Sequence, residues 1–564
     1  MPKVIGIGKQ RYDRIIENNL FYIDKTMFIK EWWENQDDVT LITRPRRFGK
    51  TLNMDMLKCF FSNEYKDRGD LFEGLDIWKE EKYREIQGTY PVIFLSFAKI
   101  KQNTYKDAIA GIKRIICDEI QKYIFLKDWD GLAEEEKTNL KNITYGMDDV
   151  TAQEAIASLS NYLSRYYGKN VIILLDEYDT PMQEAYVNGY LEELVSFTRS
   201  FFNATFKSNL YLERAVITGI TRVSKESIFS DLNNLKVITV ESDEYSDTFG
   251  FSEEEVFLAL DDFNLSDKKQ IVKEWYDGFT FGSQRDIYNP WSIINFLENK
   301  KIDTYWADTS SNSLINHLIK KSVPEIKELM ELLLKRESIE VTFDDQIVFN
   351  QLDKSKNAIW SLLVASGYLK IDDIEYKGLL LKPWYHISVT NLETVSMFAN
   401  MFAGWFENPD ARYNDFIKSL LNNDLKGMNY YMNKVALATF SYFDTGKNPS
   451  ETLEPERFYH GFVLGLIVEL SDRYEVKSNR ESGFGRYDVM IIPLDKSEKA
   501  IVLEFKVHEN DEEKTLEETV SSALAQIEEK KYDTELINAG VKKENIRHYG
   551  FAFEGKKVLI GTDE

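Results

Sequence analysis

Residues 39–51 read VTLITRPRRFGKT. Val39 to Thr43 form a short β-branched run, a loop follows, and Leu52, Met56, Leu57 and Phe60 then recur at helical spacing. A strand, a loop ending in Gly49, Lys50 and Thr51, and a helix is the order that phosphate binding demands. Glycine lets backbone wrap a phosphate, lysine reaches the terminal phosphates, and a hydroxyl at the helix start ligates magnesium. The general pattern GxxxxGK[ST] has a further glycine at position 44, where this chain carries Arg44. The triplet alone is therefore a weak signal, and its placement between strand and helix carries the reading. Arg44, Arg46 and Arg47 add positive charge that suits phosphate, or an acidic surface of another domain.

Working outward, the apolar strands Pro91 to Phe97, Val171 to Leu175 and Leu212 to Thr218 alternate with helical patterns at 105–125 and 152–167. Continuous apolar strands between helices predict an α/β fold with a parallel sheet covered on both faces, over residues 1–250. The segment VIILLDEYDTP, from Val171, ends a strand in Asp176 and Glu177, at the sheet edge where ligands bind in such folds. Asp176 is expected to hold magnesium with Thr51, and Glu177 to orient or deprotonate the attacking water. As strand-end caps, the same two carboxylates need no ligand. Thr218 closes the next strand and is placed to sense the terminal phosphate. Arg222, four residues on, is placed to reach its charge or a neighbouring subunit, which admits a homo-oligomer; an ordinary turn is the competing reading.

From 251 to 450 amphipathic helical patterns dominate, and AIWSLLVASGYLKI, Ala358 to Ile371, reads as a helix turning at Gly367 into a strand, a winged-helix-like element. Residues 451–564 return to mixed character: a helix 455–470, strands near Tyr487 to Ile492 and Ala500 to Phe505, a helix Thr515 to Tyr532, and a strand Tyr549 to Phe553. Asp488 starts one strand, and Glu504 and Lys506 lie two apart on the next, on one face by alternation. Two carboxylates and a lysine form a compact site for a hard divalent cation and phosphodiester hydrolysis, against the alternative of an exposed salt bridge. Glu469, Gln526 and Tyr532 are candidates to complete it, and His460 reads as a structural helix-start histidine.

The chain has 564 residues, enough for three or four domains, and 94 acidic against 70 basic side chains, net -24, so nonspecific attraction to nucleic acid or anionic lipid is not expected of the whole surface. Residues 451–564 hold 16 basic and 25 acidic residues, so any nucleic-acid contact there is local, through Lys477, Arg480 and Arg486. Two cysteines, Cys59 and Cys117, make no disulfide framework or zinc site, and the charged first residues are not a secretory signal. No apolar stretch is long enough to span a bilayer. The expectation is a cytoplasmic protein without a membrane partner.

The segments RPRRFGKT, VIILLDEYDTP, ITGITRVSKESIFSDLNNL, FGFSEEEV and YDVMIIP with VLEFKV, joined by YIDKT and by WYDGFTFG with IYNPWSI, together resemble AAA-ATPase-like proteins with a C-terminal PD-(D/E)XK nuclease domain. The resemblance spans nearly the whole chain, and that family itself shows RPRRFGKT. It implies a P-loop NTPase domain at 1–250, a helical lid or middle region at 251–450 and a restriction-endonuclease-like α/β domain at 451–564. It also implies ATP and Mg2+ as cofactors, a prokaryotic or defence-like setting, and nucleic acid, DNA first, as the substrate. Carried over are Lys50, Thr51, Asp176 and Glu177 as nucleotide residues, and Asp488, Glu504 and Lys506 as the nuclease core; Gly49 and Arg47 join the nucleotide set from the reading of the loop itself. The expected function is ATP binding or hydrolysis gating a magnesium-dependent nuclease. The alternative is a nucleotide-switched regulatory protein whose last domain binds nucleic acid or a partner without cutting.

Overall fold

The apolar run Val39–Thr43 is a strand, β1, with all five side chains buried. The computed structural model describes residues 2–221, 228–229, 232–307, 315, 318, 324–334, 336–343, 357–398, 413–439, 463, 467, 470, 473–482, 485–508, 514–554 and 557–563. Arg222, His460, Glu469 and nearly all of the expected helix 455–470 lie outside those residues. The chain divides into two units, residues 1–318 with 338–395, and residues 319–337 with 396–564.

In the first unit β1 joins β2 (Val92–Ser96), β3 (Val171–Asp176), β4 (Leu212–Gly219) and β5 (Leu235–Ile238) in a five-stranded sheet of order β2-β3-β4-β1-β5. Every neighbouring pair is parallel. Register sets Ser96 beside Asp176 and Thr43 beside Gly219, so the carboxyl ends of the inner strands finish level. Helices cover the sheet because their apolar residues fall on one side: Met54, Met56, Leu57, Phe60 and Phe61 of Lys50–Phe61 are buried. Helix Asp149–Tyr167 begins where Asp148 accepts from Thr151 N at 2.8 Å and ends at Gly168, φ 69°.

The region expected to be helical also carries two small antiparallel sheets. One has the order β6-β8-β7, from β6 (Phe251–Ser252), β7 (Phe279–Phe281) and β8 (Gln284–Tyr288); the other, β10-β11-β9, is built from β9 (Ile339–Val341), β10 (Leu369–Lys377) and β11 (Lys382–Val389). Helix Ala358–Ala365 turns at Gly367, φ 81°, into β10, as that stretch predicts, and β10 pairs with β11 as an antiparallel hairpin.

The second unit has a five-stranded mixed sheet, β12 (Tyr474–Ser482), β13 (Gly485–Pro493), β14 (Ala500–Val507), β15 (Ile546–Glu554) and β16 (Lys557–Thr562), in that order, with only β14 and β15 parallel. Alternation divides its side chains. Val489, Ile491, Ile501, Leu503 and Phe505 pack with Phe416, Leu420, Met428 and Met432 of helices Tyr413–Leu421 and Leu425–Thr439. Met490, Ile492, Ala500 and Val502 pack with Ile527 of helix Leu516–Lys530 and with Tyr532 and Leu536.

Gly278 joins helix Lys269–Tyr276 to β7 at φ 106°, and a Cβ there would lie 2.2 Å from the Thr390 carbonyl oxygen. Gly278→Ala therefore meets both a disfavoured backbone region and a main-chain clash, and should cost about 3 kcal/mol. The check is the midpoint of the first unfolding transition, against Gly146→Ala, whose Cβ would meet nothing within 4 Å and should shift little.

Candidate functional site

Gly49, at φ 80°, ends the loop after β1 and opens helix Lys50–Phe61; an added Cβ would meet nothing within 4 Å, so its inner side is open. Lys50 is buried, and its Nζ donates to the carbonyls of Arg44 at 2.8 Å and Pro45 at 2.7 Å. Burial pushes the Lys50 amine down to about 8, against the opposing pull of Glu177, Asp179 and Asp176. Next to it Thr51 Oγ1 donates to Asp176 Oδ2 at 2.9 Å, while Thr218 Oγ1 donates to Asp176 Oδ1 at 2.7 Å and Ser96 Oγ to Oδ2 at 3.4 Å. Asp176 is fully buried, and desolvation raises its pKa although the Thr218 and Thr51 hydroxyls pull it down. The structure thus brings Lys50, Thr51, Asp176 and Thr218 together at the carboxyl edge of the sheet.

Glu177 follows in left-handed backbone, φ 51°, a conformation that a non-glycine residue adopts only where its surroundings hold it. Those surroundings are visible: Tyr178 N donates to Thr218 O at 3.0 Å, and the Tyr178 hydroxyl to Thr221 O at 2.8 Å. The Glu177 carboxylate accepts from the Thr180 hydroxyl at 3.1 Å, which aims it along the edge of the site.

Of the loop arginines, Arg44 corrects the expectation of a phosphate-facing charge. It is buried, and its guanidinium donates to the carbonyls of Thr43 at 3.0 Å, Thr239 at 2.6 Å and Glu244 at 3.2 Å, with the Phe281 ring 4.6 Å away. A large cation in the glycine position of the general motif is therefore part of the core beneath the loop. Arg47, exposed and at φ 67°, lies 4.4 Å over the Trp291 ring. Asn289, just before, donates to Arg46 O at 3.3 Å and caps helix Pro290–Asn299 through Trp291 N at 2.9 Å. The roles of Asn289 and Trp291 in shaping the loop were missed from sequence, although IYNPWSI is a conspicuous motif. Asp179 was missed as well: buried beside the acid pair, it accepts from the backbone of Ile220 and Thr221, both at 2.9 Å.

In the second unit Asp488 and Glu504 adjoin across β13 and β14, one step beyond the pair Val489 and Leu503. Asp488 Oδ2 accepts from Phe505 N at 2.8 Å. Glu504 is 2% exposed, and its Oε1 accepts from Gln526 Nε2, which also approaches the Tyr532 hydroxyl at 3.3 Å. Lys506, two residues on, shares that face and is half-buried. Burial, with both nearby carboxylates, raises the Tyr532 pKa. Helix Leu516–Lys530 comes this close because Gly550 lies beneath it, where a Cβ would be 2.8 Å from Val520 O. Lys477, expected to face nucleic acid, is held by Glu535 at 2.9 Å. The side chains of Arg480 and Arg486 lie outside the described ones.

Residues 6–229 match the family model described as predicted AAA-ATPase, and residues 454–563 match the PD-(D/E)XK nuclease superfamily. The chain joins an AAA-ATPase-like domain to a PD-(D/E)XK nuclease superfamily domain. Both are hydrolase families, and the two clusters above fall one within each match. The chain is also 24% identical over 504 residues, 87% of each chain, to an uncharacterized protein in the vnfD 5' region of Azotobacter chroococcum mcd 1. Among solved structures, it is similar to a Signal Transduction ATPase with Numerous Domains (STAND) protein with a tetratricopeptide repeat sensor from Pyrococcus horikoshii, at 12% identity and a TM-score of 0.23; that match covers 80% of this chain and 58% of the other. No described helix is long and apolar enough to cross a membrane.

The Lys50 amine, at about 8, gives the AAA-ATPase-like domain a pH signature. Polyphosphate favours the ammonium form, so binding near pH 8 should take up a fraction of a proton and affinity should fall as pH rises above about 8. Calorimetric titration with nucleotide in buffers of different ionisation enthalpy measures both effects.

Proposed function

We propose that this protein is an ATPase whose nucleotide state gates a magnesium-dependent nuclease domain acting on DNA. The observation that carries the reading is the Thr51 hydroxyl 2.9 Å from the buried Asp176 carboxylate beside Lys50, a hard-oxygen pair at a phosphate loop. Gly49 and Lys50 wrap and reach the phosphates, Arg47 flanks them, and Thr218 faces the terminal one. Arg222, placed by sequence alone, reaches the same charge or that of a second copy of the chain. Glu177, oriented by Thr180, takes a proton from the attacking water. Asp488 and Glu504 offer the oxygen ligands of the second site, with Gln526 fixing Glu504 and Lys506 facing the developing phosphate charge. At both sites a bound Mg2+ supplies positive charge to phosphate oxygens. We assign the ATPase to residues 1–250, a lid region to 251–450 and the nuclease to 451–564. The buried thiols of Cys59 and Cys117 suit a reducing cytoplasm.

Glu177→Gln should keep ATP affinity within about threefold and lower turnover by roughly 10² or more, because the amide keeps the shape but accepts no proton. Equilibrium binding beside phosphate release tests this, and wild-type turnover in the variant would reduce Glu177 to a strand cap.

For the nuclease, plasmid, linear and single-stranded DNA and RNA are incubated with the full chain, with and without ATP and with Mg2+ or EDTA. Asp488→Ala and Glu504→Ala should each abolish cleavage and weaken metal binding, whereas Lys506→Ala should keep the metal and slow cleavage about 10²-fold. Cleavage unaffected by EDTA, or intact in Glu504→Ala, would overturn the nuclease reading. Nucleic acid bound but uncut by the wild type would favour the regulatory alternative.

A further inference from the structure

Arg46 lies in the phosphate loop but is directed differently from its neighbours. Arg44 is buried under the loop and Arg47 lies over Trp291, whereas Arg46 Nη2 donates to Gln183 Oε1 at 3.2 Å and its charge is felt at Lys50. Gln183 stands on helix Thr180–Asn188, directly after the acid pair, and its Nε2 donates to Asp179 Oδ2 at 3.1 Å. The same oxygen accepts from Ile220 N and Thr221 N, both at 2.9 Å, and from Thr221 Oγ1 at 3.0 Å. A chain of hydrogen bonds thus runs from the loop, through Gln183 and Asp179, to the turn that follows Thr218.

The chemistry of the links gives the chain a direction. Arg46 is held by a neutral amide, a weaker partner for guanidinium than phosphate, whose oxygens accept charge-assisted bonds. A terminal phosphate in the loop therefore draws Arg46 from Gln183. Gln183, no longer fixed by Arg46, can then turn its amide away from Asp179, and because Asp179 is fully buried solvent does not replace that donor and the load shifts to the 220–221 turn. That turn adjoins Thr218, which bonds Asp176 at 2.7 Å.

We propose that Arg46 binds the terminal phosphate of the nucleotide, and that Gln183 and Asp179 are positioning residues that convey its occupancy to the turn at Ile220 and Thr221. This rests on the nucleotide reading of the site, which Lys50→Ala tests separately. The experiment titrates the full-length chain with ATP and with ADP, in Mg2+, and measures phosphate release, for wild type, Lys50→Ala, Arg46→Ala, Arg46→Lys, Gln183→Ala and the double variant Arg46→Ala with Gln183→Ala. Arg46→Ala should weaken ATP at least tenfold and ADP less than threefold, with Arg46→Lys recovering part of the difference. Gln183→Ala should leave both affinities within threefold yet lower kcat at least tenfold, and the double variant should turn over no slower than Arg46→Ala alone. Equal loss of ATP and ADP affinity in Arg46→Ala, or losses that multiply in the double variant, would overturn the proposal. Nucleotide binding intact in Lys50→Ala would overturn the site itself, whereas its loss there beside an unchanged ATP preference in Arg46→Ala would overturn the Arg46 assignment alone.

Discussion

The Asp176 carboxylate accepts from hydroxyls on three separate elements: Thr51 at the start of the helix after the loop, Ser96 at the end of β2 and Thr218 near the end of β4. A carboxylate removed from water is costly unless its oxygens are satisfied, and here the satisfying groups are also the edges of the site. One buried charge therefore levels the strand ends and draws the first turn of helix Lys50–Phe61 against the sheet. It also explains why the lysine, the hydroxyl and the acidic pair, far apart in sequence, converge. The left-handed turn at Glu177 and the clamp formed by Asp179 follow from the same packing, since both lie within three residues of that anchor.

Four strands of the parallel sheet were legible because a strand buried on both faces is a continuous apolar run, and VTLIT and VIILL have few other readings. β5, the sequence LKVI at 235–238, is a half-buried edge strand too short to separate from its surroundings. β12, YEVKSNRES, has a polar edge sequence for the same reason. In the small sheets of the middle region, Phe251–Ser252, Phe279–Phe281 and Ile339–Val341 are only two or three residues long and leave no periodic signal, whereas the start of β10 after Gly367 was legible. Arg44 was misread on other grounds. Its partners lie about 200 residues away, at Thr239 and Glu244, and local sequence carries no trace of such contacts.

The acidic pair in the second unit shows the opposite balance. Alternation alone placed Glu504 and Lys506 on one face, because the period of a strand is rigid, and the β13–β14 register brings Asp488 beside them. What alternation does not reveal is what covers that face. The glycines at 550 and 561 provide it: a Cβ at either would lie 2.8 Å from Val520 O or 2.6 Å from Val520 Cγ1, so both floor positions must be bare for the helix carrying Gln526 to approach. A buried glutamate with an amide partner is thereby obtained from residues that have no side chains.

The burial of Arg44 bears on how separable the AAA-ATPase-like domain is. Its sequence match stops at residue 229, yet the guanidinium beneath the loop is satisfied by carbonyls at 239 and 244 and packed by Phe281, while β1 takes β5 as its outer neighbour. A chain cut at residue 229 would leave a large cation under its own loop with the Thr43 carbonyl but without the carbonyls at 239 and 244 or the Phe281 ring, and an inner strand exposed as an edge. The boundary of a homologous segment and the boundary of a foldable piece are then different positions, and the region downstream is a part of the phosphate loop supplied from a distance.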